Sequence, residues 1–441
     1  YEFMTKVQEQ SVPVALTGSD VLAKAKTGTG KTLAFLLPAL NELFVARLRG
    51  EGHGAGATWV LVISPTRELA SQIEAEARQL ATYMSGVVSV QVVYGGTNVR
   101  ADVSRGAQLP GGCADVLVAT PGRLIDLLQN HDWGRHLSRL RTLVLDEADQ
   151  LLEMGFRPSI TTILGMLPPK ETRQQLLFSA TMPRDVLDIA RLALRPSPAF
   201  ALVDCVGEGQ ADTHARVPQN VLVYRPPAQF AELAAVLQEG MLQAPDDYKI
   251  MVFFTTARLT QLHAELFSRV GGGMFPVLEI HSRKSQSHRD KTSKVFRESA
   301  RVIMFTSDVS ARGMDYPDVT MVVQVGLPES KAQYVHRLGR TARAGKAGVG
   351  VLMLADFESA YFLRECADQP MRQRRPMTEE ELAMWQPYVQ PALQAVPHTT
   401  LSMGYQAWLG FYNSNLKKVR WSQTELVQQA NAFATETCGM D

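Results

Sequence analysis

Long apolar runs are missing from this 441-residue chain. The longest, such as Leu33 to Leu37, fall far short of the roughly 18 residues that carry a helix across a membrane, so no spanning segment is expected. Cysteine is sparse as well. Cys113, Cys205, Cys366 and Cys438 lie far apart with no CxxC pair, which argues for free thiols in a reducing compartment and against a disulfide framework or a zinc site. A basic excess is also absent. With 45 Lys and Arg against 44 Asp and Glu, any nucleic acid must be held by a local groove and not by the overall field. What remains is a globular balance, 45% hydrophobic and 20% charged, in a chain long enough for two α/β domains and a smaller appendage.

Short apolar runs of buried-strand length recur at Val21 to Ala23, Trp59 to Ile63, Val88 to Val93, Val116 to Ala119, Leu143 to Leu145 and Leu176 to Phe178. Amphipathic stretches such as Arg67 to Leu80 and Arg184 to Leu194 lie between them, a rhythm that predicts a parallel sheet covered on both faces. Gly207, Gly209, Asp212, Thr213 and Pro218 break it, so residues 206–219 read as a linker between a first domain, 1–205, and a second, 220–363. The second domain repeats the pattern, with strands expected at Val221 to Tyr224, Ile250 to Phe254, Val277 to Ile280, Val302 to Phe305, Met321 to Val325 and Val349 to Leu354. Its helices are expected at Phe230 to Leu237, Leu259 to Val270 and Arg289 to Glu298. After about Arg364 strands are expected to stop, leaving a mostly helical extension, 364–441, with Trp385, Trp408, Phe411, Tyr412 and Trp421 as apolar bulk. The chain opens at Tyr1-Glu2-Phe3, close to its first motif, so any targeting peptide or basic arm is expected upstream.

Chemistry begins at Ala25-Lys26-Thr27-Gly28-Thr29-Gly30-Lys31-Thr32, between a predicted strand and a predicted helix. Glycines let backbone N–H groups wrap phosphate oxygens, and the helix N-terminus adds positive potential. Lys31 suits the β- and γ-phosphates of a nucleotide and Thr32 offers a hydroxyl to Mg²⁺; Ala25 stands where the general P-loop has glycine. A P-loop also needs an acid on a neighbouring strand. Asp146-Glu147-Ala148-Asp149 follows the apolar Leu143-Val144-Leu145, placing Asp146 to bind the metal and Glu147 to orient and deprotonate the attacking water.

Those four residues spell DEAD, and both domains resemble the DEAD-box ATP-dependent RNA helicases from end to end, with about ten motifs in the family's order. The resemblance implies two tandem RecA-like lobes of P-loop NTPase type, ATP and Mg²⁺ as cofactors, and RNA as partner. It assigns adenine reading to Gln8, within Met4-Thr5-Lys6-Val7-Gln8, and backbone contacts with RNA to three first-lobe elements. These are Pro65-Thr66-Arg67-Glu68-Leu69-Ala70, Gly95-Gly96 and Thr120-Pro121-Gly122-Arg123. Ser179-Ala180-Thr181 is similar to the segment that links hydrolysis to RNA release. In the second lobe Phe253, Thr256, Gln286 and Arg289 resemble further RNA-side residues, and Asp315, closing Ser307 to Asp315, resembles the aspartate that reaches the ATP ribose. His336-Arg337-Leu338-Gly339-Arg340-Thr341-Ala342-Arg343 resembles the arginine-finger element, with His336 in coupling. Arg340 and Arg343, three apart, are expected to share a helical face and to stabilise transition-state charge, so that hydrolysis needs the two lobes closed.

Backbone contact predicts low sequence specificity, with the ribose 2′-OH marking RNA. Departures from the family are His281-Ser282 for its HG pair, Ser307 for a threonine, and Gly326 where an aspartate is common. The family's adenine-stacking aromatic lies upstream of the glutamine motif and is absent from this sequence. Gly326, Thr341-Ala342-Arg343 and Tyr405 to Tyr412 most resemble the fungal mitochondrial RNA chaperones that assist intron splicing. That resemblance implies an intracellular, mitochondrial protein, monomeric when free and acting on RNA or a ribonucleoprotein assembly in splicing or ribosome assembly. A clamp that rarely turns over and a DNA translocase are the competing functions, and Gln8 and the DEAD spelling weigh against the second.

Overall fold

The computed structural model describes residues 3–25, 28–50, 56–84, 88–196, 198–205, 217–308, 316–342 and 346–440. The chain divides into two compact units, Tyr1–Gln210 and Ala211–Asp441, so the division falls inside the Gly- and Pro-punctuated segment.

In the first unit the strands are β1 (Asp20–Lys24), β2 (Val60–Ile63), β3 (Val90–Val93), β4 (Val116–Ala119), β5 (Thr142–Leu145), β6 (Gln174–Ser179) and β7 (Phe200–Asp204). The helices are α1 (Lys6–Leu16), α2 (Lys31–Leu48), α3 (Arg67–Ala81), α4 (Val99–Ala107), α5 (Pro121–Asn130), α6 (Ala148–Glu153), α7 (Arg157–Met166) and α8 (Arg184–Ala193). Strands such as Val-Leu-Val-Ile and Val-Leu-Val-Ala are buried along their whole length because helices cover both faces of the sheet. All pairings are parallel, in the order β3-β4-β2-β5-β6-β1-β7.

The second unit repeats that order. Its strands are β8 (Gln219–Tyr224), β9 (Lys249–Phe254), β10 (Val277–Ile280), β11 (Val302–Thr306), β12 (Met321–Val325), β13 (Val349–Ala355) and β14 (Met371–Arg374). They pair as β10-β11-β9-β12-β13-β8-β14, the first sheet's order advanced by one full set of strands. The helices are α9 (Gln229–Gln243), α10 (Ala257–Phe267), α11 (Gln286–Glu298), α12 (Lys331–Leu338), α13 (Asp356–Glu365), α14 (Glu379–Gln394), α15 (His398–Ser414), α16 (Leu416–Val419) and α17 (Gln423–Ala432).

Strand formation does not stop at Arg364: β14 lies beyond it, paired with β8 from Met371↔Gln219 to Arg374↔Leu222. The sequence Met-Arg-Gln-Arg is a half-exposed edge strand, so no apolar run announces it. The unassigned β7 beside β1 is its counterpart in the first sheet and is equally half-exposed.

Nor is the helical extension a separate body. One apolar core runs from Val217 and Tyr224 through Trp385, Trp408 and Tyr412 to Cys438. Trp408 stacks on Phe433 at 5.2 Å between ring centroids, and Trp421 packs 4.6 Å from Phe357 of α13. At Gly404 a Cβ would lie 2.8 Å from Leu262 Cδ2, so α15 rests directly on α10. Lys418 is half-buried and donates to the Glu329 carbonyl at 2.8 Å, which makes it a brace for this packing.

At the centre of that contact sits the fully buried Glu358. Its carboxylate accepts from Tyr412 Oη at 2.5 Å, Leu327 N at 2.7 Å and Ala355 N at 2.8 Å. Gly326, at φ +86°, leaves the room: a Cβ there would meet Thr255 Cγ2 at 2.9 Å and Glu358 Oε1 at 3.6 Å. Burial pushes the Glu358 carboxyl up from 4.5 to about 7, against the pull of these three donors.

Two outcomes are expected. Trp408→Ala should destabilise the second unit by about 3–5 kcal/mol in denaturant unfolding, as for a large aromatic removed from a core; a loss below ~1 kcal/mol would mean the extension is peripheral. Because the folded state keeps the Glu358 proton to about pH 7 while the unfolded chain releases it near 4.5, stability drains as pH rises through that window. The melting temperature of Glu358→Gln should therefore fall less than that of the wild type between about pH 5 and pH 8. Parallel declines in the two proteins would clear Glu358 of that role.

Candidate active site and nucleic-acid face

Parallel pairing brings the C-terminal ends of β1 to β6 to one edge of the first sheet, where all the first unit's candidate residues except Gln8 follow directly on a strand. The P-loop follows β1, Asp146 to Asp149 follow β5, and Ser179 closes β6 with Ala180 and Thr181 after it, these strands being neighbours in the order β5-β6-β1. Pro65 to Arg67, Gly95-Gly96 and Thr120 to Arg123 follow β2, β3 and β4, neighbours in the order β3-β4-β2. Two groups of loops therefore share one edge, side by side.

In the first group Gly28 and Gly30 take φ values of +74° and +91°, which only glycine adopts without strain, and α2 starts at Lys31. Thr27 lies outside the described residues. Thr29 and Thr32 are half-buried at the loop, while Lys31 is buried and its Nζ has no hydrogen-bond partner among the described residues. A buried ammonium without a partner is costly, and a phosphate is the group that would relieve it. Gln8 of α1 closes the loop from behind: its Nε2 donates to Gly30 O at 3.0 Å and its Oε1 accepts from Thr5 N at 2.9 Å. A Cβ on Gly30 would come within 2.5 Å of that Nε2.

Asp146 and Glu147 are buried, and burial pushes the Asp146 carboxyl up to about 7, with the Lys31 charge opposing and the Glu147 charge adding. No cluster of three or more His, Cys, Asp or Glu among the described residues forms an all-protein metal site. Asp146 and Thr32 nonetheless fit Mg²⁺, which commonly takes one or two protein ligands and completes its shell with phosphate and water. Glu147 has φ +49° and ψ +54°, a left-handed conformation for a residue with a full side chain, and its N–H donates to Asp146 Oδ1 at 2.9 Å. Strain of about 1–3 kcal/mol at such a position is typical of functional sites.

Asp149 was given no site role by the sequence reading, yet it joins two loops. Its Oδ2 accepts from Thr181 N at 3.0 Å and Thr181 Oγ1 at 2.9 Å, and its own N–H donates to Ser179 Oγ at 3.2 Å. Ser179 Oγ donates to the Thr181 carbonyl at 2.7 Å. Its place within the DEAD run was the available signal.

The second group places three helix N-termini, those of α3, α4 and α5, on the shared edge. Thr66 caps α3 by accepting from Leu69 N, Asn98 caps α4 by accepting from Arg100 N, and Pro121 opens α5 after Thr120. Such N-termini attract anions. Gly96 is exposed at φ +83°, and any side chain there would overlap the Arg67 guanidinium. Pro65, Thr66, Thr120 and Pro121 are buried and Gly122 is exposed. Arg123, expected at the RNA, is instead buried and bound to Thr97 and Asp102.

In the second unit the assignments fare unevenly. Phe253 is a correction: it is fully buried in β9, between β11 and β12, with Arg337 over its ring at 5.4 Å, so it cannot touch a nucleic acid. Thr256 caps α10 at Leu259 N, and Gln286 begins α11 with Arg289 Nη1 donating to it at 3.2 Å; Arg289 is itself buried. The helical placement expected for Arg340 is also corrected. The α12 helix ends at Leu338 and Arg340 lies past Gly339, buried, with Nε donating to the His336 carbonyl at 3.3 Å. Asp315 and Arg343 lie outside the described residues. Sequence reasoning passed over the bidentate pair of the buried Arg337 with Asp308, at 2.8 and 2.9 Å, which ties α12 to the end of β11.

Comparison with known proteins identifies the family. The DEAD/DEAH box helicase model matches residues 5–189, and the helicase conserved C-terminal domain model matches 231–345. DEAD-box ATP-dependent RNA helicase 26 of Oryza sativa subsp. japonica is 46% identical over 98% of this chain and 77% of its own length. The Arabidopsis thaliana helicase of the same name is 44% identical over the whole chain, which spans only 50% of that relative. Among solved structures, Mss116p with an NTE and C-tail double deletion, bound to ssRNA and AMP-PNP, is 29% identical. It superposes with a TM-score of 0.85 over 100% of this chain and 87% of its own. The chain belongs to the DEAD-box ATP-dependent RNA helicases.

Proposed function

We propose that this chain is an RNA-stimulated ATPase that couples hydrolysis to local duplex separation or ribonucleoprotein remodelling. The observation that carries the reading is the side-by-side placement, on one sheet edge, of the P-loop group and the three helix N-termini of the backbone-binding group. Lys31 holds the β- and γ-phosphates, and Gln8 reads adenine while steadying the loop through Gly30. Asp146 and Thr32 would hold Mg²⁺, which would neutralise phosphate charge. Glu147 orients the attacking water and takes its proton. By the family resemblance, Arg340, Arg343 and Asp315 are the second unit's residues for ATP. Ser179, Thr181 and His336 link nucleotide state to RNA, with Asp149 tying the first two to the catalytic run. Pro65, Thr66, Arg67, Gly95, Gly96, Thr120, Pro121 and Gly122 form the first unit's backbone-binding face, and Gln286 is the second unit's candidate, with the buried Arg289 positioning it by a hydrogen bond.

The finer proposal is an RNA chaperone of mitochondrial splicing or ribosome assembly. The likeness of Tyr405 to Tyr412 to the fungal mitochondrial RNA chaperones supports it. RNA cross-linked to the protein in cells should then be dominated by organellar intron-containing or ribosomal transcripts; a nuclear or cytosolic messenger profile would remove the mitochondrial part.

Glu147→Gln tests the core reading. The amide keeps the carboxylate's shape without its basicity, so ATP and RNA binding should persist while turnover falls by about 10²-fold or more. The variant should accumulate an ATP-dependent RNA complex. Wild-type hydrolysis rates in that variant would take the base role from Glu147.

A further inference from the structure

Arg123 presents a contradiction that its surroundings resolve. An arginine that grips a phosphate must show its guanidinium, yet only 7% of this side chain is exposed. Nη2 donates to the Thr97 carbonyl at 2.7 Å, Nη1 donates to Thr97 Oγ1 at 3.2 Å and to Asp102 Oδ2, and Nε faces Asp126 Oδ2 at 3.9 Å. Most of the five N–H donors are committed inside the protein.

Asp102 is the anion at the centre of this arrangement, fully buried in the first turn of α4. Oδ2 takes Arg123 and Thr97 Oγ1, the latter at 3.4 Å, while Oδ1 takes Arg105. Its own carbonyl accepts from Gln91 Nε2 at 2.8 Å, which fixes the turn to β3. A buried carboxylate and guanidinium survive in a folded protein when they are paired and their remaining donors and acceptors are satisfied; here one charge-assisted bond joins them, while Thr97 takes further Arg123 donors and Arg105 takes the second carboxylate oxygen.

We infer that Asp102 is a positioning residue for RNA binding. It holds Arg123 so that the guanidinium ties the Gly95–Thr97 loop to the Thr120–Gly122 turn, setting the spacing at which the two loops meet consecutive phosphates. Arg123 acts through that tie and is not itself a phosphate ligand. The inference rests on the proposed role of these two loops at RNA.

The two roles make opposite predictions for charge. If Arg123 bound phosphate directly, removing the nearby negative charge of Asp102 would leave RNA affinity equal or higher. If Asp102 positions the loops, its removal weakens binding although it takes away a repulsive charge. The experiment uses the full chain and a fluorescein-labelled single-stranded RNA, with affinity followed by anisotropy across a KCl series in the presence of AMP-PNP. Binding of a fluorescent ATP analogue reports on the P-loop side of the same sheet.

Asp102→Asn and Arg123→Met should each weaken RNA binding by about tenfold or more, as expected on loss of a charge-assisted bond. Neither should alter the slope of affinity against salt, the double variant should be no worse than the poorer single, and nucleotide affinity should hold. A slope reduced by about 0.7 in Arg123→Met, the loss of one phosphate contact on a single strand, would overturn the inference. So would unchanged or tighter RNA binding by Asp102→Asn. Should Asp102→Asn lose nucleotide as well, Thr97→Val decides on the same readouts, since it removes one acceptor and leaves the ion pair intact. Wild-type protein that binds no RNA in any nucleotide state would sink the proposed function itself, an outcome distinct from the others.

Discussion

Apart from Gln8 on α1, the placement of the first unit's candidate residues follows from parallel strand pairing. Parallel neighbours must be joined by crossovers that return over a face of the sheet, and these have one hand in almost all proteins. The loops that leave the strands are therefore gathered on one edge. With the order β3-β4-β2-β5-β6-β1, two chemically different sets of loops are sorted without mixing, and the seam runs between β2 and β5. There Asp146 N donates to the Ile63 carbonyl at 3.0 Å, so the strand end that carries Asp146 and Glu147 is fastened to the one that carries Arg67.

Charge is handled differently on the two sides of that seam. Toward β1, Lys31 is buried without a hydrogen-bond partner among the described residues, and burial lifts the Asp146 carboxyl well above its ordinary range, so both charges there await a ligand. Toward β3, Arg123 and Asp102 are buried but satisfied, and the face offers helix N-termini and glycine backbone. A chain with 45 basic and 44 acidic residues can in this way bind polyanions on both sides, because fixed local dipoles act where net charge does not.

The sequence was legible wherever burial leaves a signature. Strands covered on both faces read as apolar runs, and the P-loop and the DEAD run were identifiable by residue type and position. The misses share a cause. β14, Met-Arg-Gln-Arg, is a polar edge recruited by pairing with β8, and pairing leaves no mark in composition, whereas β7, Phe-Ala-Leu-Val-Asp, is apolar but half-exposed beside β1 and was passed over. Phe253 and Arg123 were read as RNA contacts because motif membership gives no direction for a side chain, and both point inward. Arg340 was placed on a helix because three-residue spacing suits one, but Gly339 ends α12 first. Asp102, an ordinary-looking acid on an amphipathic helix, becomes visible only when its partners do.

The left-handed backbone at Glu147 sets stability against activity at a single residue. Glycine adopts that conformation without a Cβ penalty and asparagine visits it more readily than glutamate does. Change to glycine or asparagine at this position would thus tend to make a firmer protein that lacks the proposed base. A library of variants sorted only for heat resistance would drift toward inert copies, and the glutamate persists only where turnover itself is selected.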